Sequence, residues 1–183
     1  MTRLEPLAFR WKTFSSGYSR LRLTDWTIRQ AIEGDATAVA DLWTEAYLTL
    51  GTDGRTEPYT EADFLDSARR GQVLVAQRED AVVGVVVLFA PGTSDRAIGC
   101  PDETELSRLA VASSARGTGI GRALACFCER RAHATGWSAI ALWSRPGQVE
   151  ARRLYESLGY RRVPEHDLVD ETGHGRLVFR LTL

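Results

Sequence analysis

One stretch constrains the fold of this chain more than any other: residues 105–124, ELSRLAVASSARGTGIGRAL. It opens on an apolar strand end, Leu109-Ala110-Val111, and turns through Arg116-Gly117-Thr118-Gly119-Ile120-Gly121. It then sets Ile120, Ala123, Leu124, Phe127 and Cys128 at the i, i+3, i+4, i+7, i+8 spacing of one helical face. A strand, a glycine-rich turn and a helix in succession expose the unpaired N–H groups of a helix start and the positive end of its dipole. That is an anion site suited to a pyrophosphate. Glycines let phosphates approach the backbone, because no Cβ stands in the way.

Several loops share this outline. A dinucleotide-binding loop wants G-x-G-x-x-G and a carboxylate about 20 residues later. Here Gly121 comes one position early, Arg122 stands in its place, and Ile140 to Leu142 bring no carboxylate. A triphosphate loop ends in Gly-Lys-Ser/Thr, which is absent. A strand-to-helix turn that binds nothing is a further reading. The pattern Arg116-x-x-Gly119-x-Gly121 resembles the Gln/Arg-x-x-Gly-x-Gly/Ala signature of the GCN5-related N-acetyltransferases (GNAT), where the loop takes the acyl-CoA pyrophosphate. A second stretch, Ala151 to Tyr160, ARRLYESLGY, resembles the A-x-x-L-Y-E-x-L-G-F/Y helix of the same family. The resemblance covers most of the chain from Trp26 to Leu183 and is sharp in these two motifs.

The resemblance implies an α/β (α+β) GNAT fold: a mixed, mostly antiparallel sheet of six to seven strands, with a splayed central strand and about four helices. It implies acetyl-CoA as co-substrate, a primary amine as acceptor, and direct transfer in a ternary complex. The positions it implies for the cofactor are Leu109, Ala110 and Val111 on the strand, then Arg116, Gly117, Thr118, Gly119, Ile120 and Gly121 in the loop. Gln148 and Tyr155 complete the set. Many relatives carry asparagine where Gln148 stands, and glutamine is one methylene longer. Tyr155 matches the family tyrosine near the CoA sulfur, the general acid. The residues themselves equally describe a core tyrosine on the stripe Ala151, Leu154, Leu158, and both roles can hold, because a buried tyrosine needs a partner for its hydroxyl. Glu105, six residues before Val111, matches a glutamate that several relatives use to deprotonate the amine. The alternative is a solvated carboxylate at a strand entrance, near Glu103. The oxyanion is expected to meet the Val111 N–H, since the side chains nearby are apolar.

The strand itself carries a parity break. Leu106 and the pair Leu109, Val111 cannot share one face of a regular strand. One extra residue around Ser107-Arg108, a β-bulge, reconciles them and splays the strand from its neighbour. In the family the acyl-CoA arm lies in that opening, its amides bonding the strand near Leu109 and Val111.

Along the rest of the chain, residues 1–24 carry five basic groups against Glu5, interleaved with Phe9, Trp11, Phe14 and Tyr18. Basic groups interleaved with aromatics can mean nucleic-acid contact, but the rest of the chain has no basic face to continue it. The segment reads as an extension that packs its aromatics on the domain or on a partner subunit, the latter giving a homodimer, and the resemblance implies that residues 25–183 are the acetyltransferase domain. Trp26 to Ala31 reads as a strand, Asp35 as an N-cap. Val39, Leu42, Trp43, Ala46, Tyr47 and Leu50 form an apolar helical stripe, in which Trp43 and Tyr47 are read as core. Thr60 caps a short helix that Gly71 closes. Val73 to Ala76 and Val82 to Phe89 form a hairpin. Ala90 to Thr104 is a long loop on the acceptor side. Ser138 to Trp143 is a strand, and Tyr160 to Val163 pairs with Gly175 to Leu183.

Composition excludes rather than selects. A net charge of −1 offers no field for nucleic acid or an anionic membrane. Cys100, Cys126 and Cys128 are odd in number and lack C-x-x-C, so no disulfide framework or zinc site is indicated. Neither a membrane span nor a signal peptide is legible, and the expected compartment is the cytoplasm. Two functions therefore compete: a cytoplasmic acetyl-CoA-dependent N-acetyltransferase, or a catalytically weak acyl-CoA-binding regulatory or interaction module.

Overall fold

The computed structural model describes residues 25–48, 56–93, 98, 102–169 and 175–183. The extension over residues 1–24 and parts of the loops 49–55, 94–101 and 170–174 lie outside the described residues. A single sheet runs in the order β1-β2-β3-β4-β5-β8-β6, with β7 pairing β8. The strands are β1 Trp26–Gln30, β2 Gly71–Arg78, β3 Ala81–Phe89, β4 Glu103–Val111, β5 Ala139–Ser144, β6 Arg161–Arg162, β7 Leu168–Val169 and β8 Gly175–Thr182. The helices are α1 Ala36–Trp43, α2 Glu61–Arg70, α3 Ile120–Thr135 and α4 Val149–Ser157. Every pairing is antiparallel except β4 with β5.

The valine-rich strands β2 and β3 are apolar on both faces because helices cover both. One core cluster joins Leu74, Val86, Leu88, Leu106 and Phe179 to Ile120, Leu124 and Cys128 of α3 and Tyr155 of α4. The other joins Val73, Val75, Val85, Val87 and Ala110 to Val39 and Trp43 of α1 and Phe64 of α2. The sheet therefore separates an α1/α2 side from an α3/α4 side.

The expected bulge is present. Val85 faces Ala110 but Val87 faces Ser107, so β4 carries one extra residue. Arg108 takes φ 53°, in the left-handed region. Leu106, Leu109 and Val111 consequently all pack on the α3/α4 cluster, as their apolar character requires. On the other edge β4 pairs β5 only through Glu103–Ala139, Thr104–Ile140 and Glu105–Ala141, although β5 continues to Ser144. Beyond Glu105 the two strands diverge into a wedge.

Three local expectations are corrected. Asp35 holds the N-cap position of α1 without capping it. Its carboxylate instead accepts the Ile32 N–H at 2.8 Å and both terminal nitrogens of Arg29 at 2.6 and 2.8 Å. An adjacent guanidinium is a stronger donor than a helix N–H. Gly71 does not end α2 in a left-handed turn. Its φ is −159°, and it begins β2 where a Cβ would meet Leu88 O at 2.7 Å. The stripe of α1 does not run on as an α-helix either: Thr44–Leu48 widen into a π-turn.

Candidate active site

The wedge is the candidate site. Ala112 N–H donates to Val83 O at 3.0 Å, so the alternation along an antiparallel pair turns the backbone groups of Ala110 and Ala112 toward β3. Those of Leu109 and Val111 point the other way, into the opening that β5 has left. Two N–H donors thus stand free of the sheet ladder on the wedge wall. The bulge carbonyls are held by two aromatics from the far side: Trp43 Nε1 donates to Arg108 O at 3.1 Å, and the Tyr47 hydroxyl donates to Leu109 O at 2.8 Å. A bulge breaks its ladder and orphans backbone groups, and buried groups need partners. Here the partners come from α1 and the π-turn, a kind of irregularity that often sits at functional sites.

Below the wedge the loop enters α3. Gly119 is left-handed at φ 90°, a conformation that side chains resist. Ala123 N–H donates to Gly119 O at 3.0 Å, so the N–H groups of Ile120, Gly121 and Arg122 precede the first helical bond and point off the helix end. The end sits tight on the sheet because Gly84 of β3 has no side chain: a Cβ there would meet Ile120 Cγ2 at 2.7 Å. The Thr118 hydroxyl fastens the loop by donating to Ala115 O at 2.6 Å.

A cleft of about 620 Å³ runs between these features, within the usual range for small-molecule sites. Leu109, Ala110, Val111, Arg116, Gly117, Gly119, Ile120, Gly121 and Gln148 all line it. Of the residues expected at the cofactor, Thr118 and Tyr155 do not. Gln148 turns its amide oxygen inward, accepting from Arg145 N–H at 2.9 Å and the Ser144 hydroxyl at 3.1 Å, and so shapes the entry to α4. The cleft also takes Ala46, Tyr47, Arg122, Ala151 and Leu154, which sequence reasoning did not place there. Helical spacing alone makes Tyr47 core; its phenol, the polar tip on an apolar stripe, is the signal that points to the cleft. Ala151 and Leu154 are half-buried rather than buried because they form a cleft wall.

Tyr155 is 6% exposed and packs on Tyr160 and Phe179, with ring centroids 5.8 and 6.4 Å away. Burial pushes its pKa up, so the phenol keeps its proton. Its neighbour in sequence, Leu154, is on the cleft wall. Glu105 lies at the apex of the wedge, in the last β4–β5 pair. It is 5% exposed, so it is not a solvated carboxylate. It does not line the cleft; its β3 partner Phe89 belongs to the α1/α2 cluster, which places it on that side of the sheet. Cys128 is fully buried and burial raises its thiol pKa, while Cys126 is half-buried on another face, as expected of packing residues. Among the described residues no group of three His, Cys, Asp or Glu side chains could hold a metal ion, and no helix is long and apolar enough to cross a membrane.

Comparison with known proteins bears on this cleft. The acetyltransferase (GNAT) family model matches residues 36–160. N-acetylaspartate synthetase of Xenopus tropicalis is 36% identical over 112 residues, 58% of this chain and 39% of that protein. The chain thus spans well under half the length of that curated relative. Among solved structures, a ribosomal-protein-alanine N-acetyltransferase from Brucella melitensis superposes with a TM-score of 0.71 and 25% identity, over 85% of this chain and 99% of the other. A phosphinothricin acetyltransferase from Sinorhizobium meliloti, solved in complex with acetyl-CoA, superposes with a TM-score of 0.73 and 22% identity, over 87% and 89%.

Proposed function

The chain belongs to the acetyltransferase (GNAT) family, and from that premise we propose that it moves the acetyl group of acetyl-CoA to a primary amine by direct transfer in a ternary complex. The observation that carries the reading is the wedge, with the Leu109 and Val111 N–H groups turned into it and the α3 start at its base. The pantetheine arm lies along that strand wall as an extra strand would. The pyrophosphate meets the N–H groups at the α3 start, and Arg116 and Arg122 line the same end.

The amine nitrogen attacks the thioester carbon, and charge builds on the carbonyl oxygen. The Val111 N–H, fixed by the sheet, donates a hydrogen bond to that oxygen without reorganising. When the tetrahedral centre collapses, the C–S bond breaks and the thiolate takes a proton. Tyr155, kept protonated by burial, is the donor in this reading; a thiol pKa of about 8.5 makes the thiolate a fair leaving group, so the acid contributes modestly. The proton lost by the amine goes to Glu105, directly or through water. The N-acetylaspartate synthetase relatives support an amino acid as the acceptor class.

Tyr155 and Glu105 both lie off the cleft wall, and this favours a second reading, an acyl-CoA-binding module with little turnover. Thiol release from acetyl-CoA across a panel of primary amines separates the two. The transferase releases CoA in an amine-dependent way and yields the acetylated amine by mass; binding by calorimetry without release establishes the module.

A further inference from the structure

The transfer chemistry above leaves the side chain of the bulge residue Arg108 unused. This residue holds a left-handed conformation at φ 53°, which is strained for a residue with a Cβ. Asparagine or glycine would sit there more easily, so the side chain needs another justification. Its guanidinium lies over the Trp43 ring at 5.0 Å and the Tyr59 ring at 5.7 Å. One terminal nitrogen donates to the Ser67 hydroxyl and, at 3.4 Å, to Asp63 O. Two rings and two neutral acceptors, on α1, α2 and the segment that leads into α2, fix the group in place.

Its charge is left unmatched. The carboxylates of α2, the helix it touches, are all turned elsewhere. Glu61 accepts the Thr37 hydroxyl, Asp63 accepts the Thr60 N–H and hydroxyl, and Asp66 pairs with Arg69 and Arg70. No described carboxylate forms an ion pair with Arg108, and its Nε and Nη2 donors are taken by no described residue. A half-buried, immobilised guanidinium with a free edge is a fork for a planar anion. The next residue, Leu109, presents its backbone to the wedge where the thioester lies in this reading, and Tyr47 links the two regions, donating to Leu109 O and meeting the Tyr59 ring at a tilt with centroids 6.2 Å apart. Glu105 lies three positions back on the same side of β4. Neither Arg108 nor Glu105 lines the cleft itself; both lie on the α1/α2 side of β4, and a cation and an anion on that side suit a zwitterion reaching the wedge from it.

We propose that Arg108 anchors the carboxylate of the acceptor, which is an amine carrying a carboxylate within a few bonds of its nitrogen, as a free amino acid does. This rests on the transferase reading above and deepens it.

The test compares amino acids with their carboxamides as acceptors, in wild type, Arg108→Gln and Arg108→Lys. Wild type should favour each amino acid over its amide by at least tenfold in kcat/KM. Arg108→Gln should lower kcat/KM for the amino acid at least tenfold, chiefly through KM, and for the amide far less, so that the preference collapses. Arg108→Lys should recover only part of it, since a point charge replaces the fork. Equal use of acid and amide by the wild type overturns the proposal, a comparison that stands even if the variants fail to fold. Equal losses on both acceptors in Arg108→Gln also overturn it, by making Arg108 a strut. If no amine is turned over while acetyl-CoA binds, the transferase reading fails by itself. The anchor is then judged by melting: amino acids should raise Tm of wild type saturated with CoA and not of Arg108→Gln, and no rise in wild type overturns it.

Discussion

At position 121 a Cβ would meet only Leu154 Cδ2 at 3.5 Å and Val111 Cγ2 at 3.6 Å, ordinary contacts, so a larger residue is tolerated by the fold and felt by the ligand. Gly121→Asp places a carboxylate at the helix start, where an anion is to bind. Acetyl-CoA affinity should fall well over tenfold by calorimetry while the melting curve stays cooperative; unchanged affinity removes the pyrophosphate from this loop. Tyr155→Phe keeps the ring on Tyr160 and Phe179 and removes the hydroxyl. It should lower kcat by about 10²-fold or less, near or below the low end for general acids, with acetyl-CoA affinity nearly constant. Wild-type turnover would make Tyr155 a packing residue alone. Glu105→Gln should lower kcat/KM most at low pH, where free amine is scarce, and recover partly at high pH, where solvent has already deprotonated the amine. A profile parallel to wild type assigns that proton to water.

Among the elements, the bulged strand and the β1–α1 corner each hang on one polar arrangement. Trp43→Phe keeps most of the packing and leaves Arg108 O without its indole donor. A buried carbonyl stripped of its partner costs about 1–3 kcal/mol, and the loss should appear in denaturant melts together with a raised KM, because the wedge wall is what loosens. At the corner, the Arg29 guanidinium and the Ile32 N–H hold the Asp35 pKa below the usual carboxylate range. A depressed folded-state pKa stabilises above the unfolded value of about 3.9 and that stabilisation is lost as pH falls through the folded value. Asp35→Asn should therefore melt below wild type at neutral pH, with the difference closing as pH drops below about 4. A difference that persists undiminished in acid assigns the effect to shape rather than charge.

For the molecule as a whole, the parallel β4–β5 contact of three residue pairs is the join between two halves of the sheet, and the cleft lies where they part. A ligand filling the cleft touches β4, α3 and α4 together and so stabilises the folded state by mass action. At a hundredfold excess over Kd this amounts to about 2.7 kcal/mol. At about 2–4 °C per kcal/mol for a domain of this size, saturating acetyl-CoA should raise Tm by about 5–11 °C. Gly121→Asp should abolish most of that rise, and a wild-type Tm indifferent to acetyl-CoA would falsify occupation of the cleft.

The amino-acid sequence determined by itself the order of elements, the glycine-rich entry to α3, the A-x-x-L-Y-E helix and the bulge in β4. Each is written in local spacing: the parity of Leu106 against Leu109 and Val111 is a one-dimensional fact with a single structural remedy. Only the tertiary structure decided which groups meet across the sheet. Tyr47 and Trp43 are indistinguishable from core by helical spacing, and their hydrogen bonds to the bulge depend on a π-turn and on residues 62 and 65 positions away. That Tyr155 packs behind the cleft wall, that Glu105 is buried at the wedge apex, and that β8 inserts between β5 and β6 are equally long-range outcomes. So is the isolation of Arg108, which follows from where three carboxylates of α2 turn. Periodicity records which face a residue shows. Packing between distant elements alone fixes what that face meets.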